Sequence, residues 1–88
     1  MEKSYPNPAN PTALLPYATA EPGPVSLKVF NVLGQLVRTL VHEHHDPGRY
    51  EARWDGRDDA GQTASSGVYL YKLVAGDKHA TGRVVFLK

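Results

Sequence analysis

Short runs rich in Val, Leu, Tyr and Thr, broken at brief intervals by Gly and Pro, set the rhythm of this sequence. That rhythm predicts an all-β sandwich or barrel rather than a helical fold. Val25, Leu27 and Val29 alternate with Ser26, Lys28 and Phe30, so residues 25–32 read as a strand with one face buried. Leu33-Gly34 predicts a tight reversal into a second arm over residues 35–42. In that arm Leu36 and Leu40 flank Arg38 on one face, while Val37 and Val41 flank Thr39 on the other. A helix over residues 32–44 would also align Val32, Leu36, Val37 and Leu40. Strand is preferred, because Gly34 costs a helix about 1 kcal/mol and β-branched residues dominate the stretch.

Three more alternating runs follow. Residues 49–55 place Tyr50, Ala52 and Trp54 inward with Glu51 and Arg53 outward. Residues 67–75 and 79–88 form a hairpin through the turn Gly76-Asp77-Lys78. At the other end, residues 14–19 predict a short edge strand with Leu15 and Tyr17 on one face, since Pro16 bars a central position. Residues 44–48 and 56–66 read as loops. The strand count is six or seven.

Composition narrows the class. Eighty-eight residues make one domain at most, with residues 5–88 as the domain and 1–4 as a linker. A hydrophobic share of 41% and a charged share of 22% exclude wholesale disorder. The formal charge of +1 gives no basic excess of the kind that nucleic-acid binding needs. No apolar run approaches the roughly 20 residues of a membrane helix, so membrane insertion is not expected. Without cysteine there are no disulfides, thiolate metal sites or cysteine nucleophiles. The first residues, Met1-Glu2-Lys3-Ser4, lack the apolar core of a signal peptide.

Two clusters invite chemistry. His42, His44 and His45 could offer imidazoles to zinc or nickel, but no carboxylate other than Glu43 or Asp46 is at hand as a third ligand, and the competing reading is solvated loop histidines. Asp55, Asp58 and Asp59 lack the alternate-residue spacing of a calcium loop. Asp55-Gly56 reads instead as an Asx turn with Gly56 at positive φ. A cation at this loop would draw on Asp55 and Asp58, as one at the histidines would draw on His42 and His44. Ser65 and Ser66 lack a nucleophile elbow, and a sandwich this small offers no obvious cleft for paired carboxylates. The expectation is a non-catalytic domain without a cofactor. Tyr50, Trp54, Tyr69 and Tyr71 occupy core-like strand positions, which competes with a sugar-stacking platform.

Several pieces in order carry a family resemblance. They are Pro6-Asn7-Pro8 and Asn10-Pro11-Thr12, the run from Gly23 to Gln35 that contains Asn31-Val32-Leu33-Gly34, Trp54-Asp55-Gly56-Arg57-Asp58 with Gly61, and Ser66-Gly67-Val68-Tyr69-Leu70-Tyr71. Together they resemble the C-terminal sorting domains of the type IX secretion system. The same pattern is similar to the immunoglobulin-like domain of flagellar hook-capping proteins. Ala9 stands where the sorting family often has an aromatic, and Pro16 where it tends to have a basic residue. The fold implied is an immunoglobulin-like antiparallel β-sandwich of about seven strands. Ser65 to Tyr71 has the spacing of a tyrosine corner at Tyr69, and Tyr71 falls where antibody domains place a disulfide cysteine. An aromatic contact between Tyr71 and Trp54 would replace that staple.

The sorting resemblance implies a module that directs a secreted parent protein through the periplasm and the type IX translocon to the cell surface. A sortase-like peptidase is a further implied partner. The recognition candidates are Arg83, Val84, Val85, Phe86, Leu87 and Lys88, although basic residues also guard edge strands against mispairing. The hook-capping resemblance implies a structural spacer or assembly module instead. A carbohydrate-binding module of a secreted hydrolase is a third reading, requiring exposed aromatics. Edge strands at both ends also leave room for a weak homodimer.

Overall fold

A computed structural model describes residues 12–87. Its six strands are β1 (Ala13–Thr19), β2 (Gly23–Phe30), β3 (Leu36–His45), β4 (Gly48–Trp54), β5 (Gly67–Ala75) and β6 (Lys78–Phe86). They form two antiparallel sheets, one of order β1-β4 and one of order β3-β2-β5-β6. The fold is therefore an immunoglobulin-like β-sandwich, with six strands where about seven were expected. The assignment of residues 1–4 to a linker, and the motif residues Asn7, Pro8, Asn10 and Pro11, lie outside the described residues, as does Lys88.

The alternation in β2 dictates the centre of the larger sheet. Val25, Leu27 and Val29 are buried, whereas Ser26, Lys28 and Phe30 turn to the other face. Being paired on both sides, β2 has no free edge. Among the described residues β1 pairs only with β4, so Pro16 sits on an edge, while Leu15 and Tyr17 face inward opposite Ala52 and Tyr50. The β5–β6 hairpin closes at Ala75↔Lys78 through Gly76-Asp77.

β3 departs from simple alternation. Its register with β2 shifts twice, between Leu27/Lys28 and between Val29/Phe30, leaving Leu40 and Val37 as extra residues. Strict alternation would place Leu36 and Leu40 on one face. The two bulges break that rule, so Val37 and Leu40 both pack on the core and Leu36 is left exposed. The strand also continues through His44 and His45, where a loop is expected from the sequence. β2 stops at Phe30, and the reversal spans Asn31 to Gln35. There the Asn31 side-chain oxygen accepts the Leu33 and Gln35 N–H groups, and Gly34 takes φ 84°.

The core has two adjoining parts. Val29, Trp54, Tyr69 and Phe86 form one, and Leu15, Leu27 and Ala52 the other, with Leu40 and Val84 touching both. Trp54 is 0% exposed. Burying such a ring removes about 150–250 Å² from water, a gross gain of roughly 4–6 kcal/mol. Small sandwiches without a disulfide depend on gains of this size.

Candidate functional site

The motif residues of the second half converge at one end of the sandwich. Trp54 packs edge-on against Tyr69, with centroids 5.1 Å apart, and tilts against Phe86 at 5.3 Å. Its indole N–H donates to the Arg57 carbonyl over 2.9 Å. Tyr69 donates its hydroxyl to the Ser65 carbonyl at 2.6 Å, four residues upstream, which is the tyrosine corner that the spacing predicted. Tyr71 does not meet Trp54. It lies beside Leu15, Leu27 and Ala52 and covers Gly82. The aromatic contact that staples the sheets is therefore made by Tyr69 and Phe86, because inward residues two apart on β5 land in different parts of the core.

The acidic segment is a small hairpin rather than an open loop. Ala64 donates to the Gly56 carbonyl, Arg57 bridges Thr63, and Asp58 donates to Gln62. Each carboxylate has a task within it. Asp55 Oδ1 accepts the Arg57 N–H at 3.1 Å, the expected Asx turn, with Gly56 at φ 80°. Asp58 Oδ1 accepts the N–H groups of Ala60 and Gln62 and so shapes the tip that ends at Gly61. Asp59 reaches β3: its N–H donates to the Val37 carbonyl, and its Oδ1 accepts the Thr39 N–H at 3.0 Å. Arg38 lies between Asp55 at 3.3 Å and Asp59 at 3.8 Å. The hairpin thus covers part of the free edge of β3 and ties one sheet to the other. The sequence shows Asp59 in the acidic cluster and Arg38 on the second arm of the hairpin, but not that the two meet. Their pairing depends on the β3 bulges, which leave no simple signal.

His42 and His44 sit opposite Ser26 and Pro24 on the outward face, exposed. They are not brought to Asp55 or Asp58, whose side chains are engaged in their own hairpin. Among the described residues, no group of three or more His, Cys, Asp or Glu is placed to hold a metal ion. His45 is different. It is buried, not solvated, and its ring stacks on Tyr50 at 4.0 Å and 7°. A 2.7 Å hydrogen bond joins Tyr17 Oη to His45 Nε2, and Glu43 lies 3.6 Å from Nδ1. Tyr17 and Tyr50 are cross-strand partners in the smaller sheet, so His45 clasps that sheet to β3. Burial, then the Glu43 charge, then Tyr50 raise the Tyr17 hydroxyl above the usual tyrosine pKa.

The six recognition candidates divide. Phe86 is 3% exposed and Val84 packs against the core, so neither presents a side chain to a partner. Arg83, Val85 and Leu87 point outward, with Val85 60% and Leu87 68% exposed. The alternation along β6 separates the inward Val84 and Phe86 from the rest of the group.

Two antiparallel sheets, a tyrosine corner and a buried tryptophan at their junction define an immunoglobulin-like sandwich domain. The chain belongs to the FlgD Ig-like domain family, whose model matches residues 7–79. The relation to hook-capping proteins, which the order of the motifs implied, is thereby established at the level of this domain. Neither the curated proteins nor the solved structures contain a match to the chain.

Proposed function

We propose that the domain is a non-catalytic structural module, a spacer or assembly element of a larger protein. The observation that supports this most directly is its membership of the FlgD Ig-like domain family. The polar groups of the motifs support it further. Asp55, Asp58, Asp59 and Arg38 are engaged with one another or with backbone, and Tyr69 is bonded to Ser65. Trp54 is enclosed, which removes the main aromatic from any sugar-stacking platform.

A second reading, a type IX sorting module, draws on the ordered sequence pieces and on the exposed side chains of Arg83 and Val85 on edge strand β6 and of Leu87 just beyond it. Its partners would be the translocon and a sortase-like peptidase, and its destination the cell surface. An extended partner segment could add to β6 through main-chain hydrogen bonds.

One experiment separates the two. Residues 4–88 are placed after a signal peptide and a fluorescent reporter, in a host with a type IX system and in its translocon-deletion mutant. Periplasmic retention in both hosts is the outcome for a structural module. Surface reporter in the first host alone would replace that reading with sorting. The surface variant Arg83→Ser/Val85→Ser/Leu87→Ser, which spares the core residues Val84 and Phe86, should lose the surface reporter if sorting is the function.

A further inference from the structure

The outward face of the four-stranded sheet has an unusual charge pattern. Because Val29 and Tyr69 are buried, Lys28 and Phe30 on β2, and Leu70 and Lys72 on β5, project from the opposite face. On β6, Arg83 lies opposite Leu70 and therefore shares that face. His42, His44 and His79 add imidazoles, and none of the outward positions of the four strands is Asp or Glu. Lys28 and Lys72 stand directly opposite each other in the β2–β5 register. Like charges in that relation destabilise a sheet. Among the described residues, neither lysine nor Arg83 has an ion-pair partner.

An apolar row runs beside these cations. Phe30 lies between Leu36 and Leu70 across three strands, with Leu36 49% and Leu70 40% exposed. A shallow groove of about 500 Å³ is lined by Phe30, Leu70, Lys72 and Arg83. Solubility alone does not account for the pattern. An oppositely charged pair at positions 28 and 72 would be as well hydrated and would hold the sheet better.

We propose that this face docks an acidic polypeptide segment, which lays carboxylates along Lys28, Lys72 and Arg83 and seats an apolar side chain over Phe30 and Leu70. Charge complementarity selects the anion. The adjoining apolar row selects a polypeptide over a purely anionic polymer, which has nothing to fill it. A second copy is a poorer fit, since its clustered acids are engaged, Asp55 and Asp59 with Arg38 and Asp58 in its own turn, and its exposed Glu51 stands between exposed Arg49 and Arg53. The proposal is independent of whether the domain serves as a spacer or in sorting.

The test is a titration of the 88-residue chain with a labelled peptide of alternating Glu and Leu, read by anisotropy and by amide shifts. Salt-dependent binding that moves the Leu70 and Lys72 amides is the expected result. Lys28→Gln/Lys72→Gln should weaken it roughly three- to twentyfold, the sum of two modest surface ion pairs. Lys72→Glu is the control for folding: its urea midpoint should equal or exceed that of the parent while binding is lost. Equal binding of a Gln–Leu peptide would overturn the proposal by showing an apolar patch only. Equal binding of dextran sulfate would overturn it by showing a general polyanion site. Self-association without peptide binding, or no effect of the lysine substitutions, would overturn it as well.

Discussion

The Phe86 ring fills the space that a side chain at position 56 would need. Gly56 also holds φ 80°, a left-handed conformation that a Cβ disfavours. Two constraints of different origin therefore fall on one residue. Gly56→Ala should destabilise the domain by about 2–5 kcal/mol, through strain and overpacking together. Gly34→Ala, at φ 84° with open space around it, should cost only about 1–2 kcal/mol. Urea unfolding of both variants measures the difference.

The last strand contributes to the core and to the surface by alternate residues. Phe86→Ala should cost about 3–5 kcal/mol, as expected for removing a ring packed on Trp54. Val85→Ser and Leu87→Ser should each stay within about 0.5 kcal/mol, since both side chains are largely in water. Thermal or urea melts of the three single variants settle this.

Tyr69 and Tyr71 are neighbours in the pattern but differ in what their hydroxyls do. Tyr69→Phe leaves the Ser65 carbonyl without its donor and should cost about 0.5–1.5 kcal/mol. Tyr71 packs by its ring and has no hydrogen bond among the described residues, so Tyr71→Phe should be close to neutral. The comparison of the two unfolding midpoints isolates the tyrosine corner.

Alkaline pH should loosen the clasp around His45. The Tyr17 pKa is raised in the folded state by burial, Glu43 and Tyr50, so folding favours the neutral phenol. Its contribution is complete below the unfolded tyrosine value of about 10 and is lost as pH rises through the higher folded value. Stability should fall as pH rises from about 10 up to that folded value, and Tyr17→Phe should flatten the slope. Urea midpoints taken across the alkaline range give the answer.

The legible parts of this fold were those governed by strict alternation. β2, β4 and the β5–β6 hairpin carry their inward residues at every second position, and period two is visible in a single strand. β3 was less legible because two bulges change which of Leu36, Val37 and Leu40 meets the core. His45 reads as a loop residue in the sequence because nothing local reveals Tyr17 and Tyr50 across the sandwich. The Asx turn at Asp55 and the tyrosine corner are local in sequence and could be read there. The hold of Asp59 on β3, the facing of Lys28 and Lys72, and the choice of Phe86 as partner for Trp54 are relations between distant segments. Pairing had to be known first.

The same central position of β2 bears on how the chain reaches this state. β2 meets β3 through a short turn but meets β5 only after β4 and the acidic hairpin have intervened, and β1 waits for β4. Of the four strand pairings, the β2–β3 and β5–β6 hairpins are the two that can form by local search. Joining them requires closure of the long intervening loop before any of the Val29–Trp54–Tyr69 packing rewards it. Refolding should accordingly lie in the slower, millisecond-to-second class of sandwich proteins, with the docking of the two hairpins as its barrier.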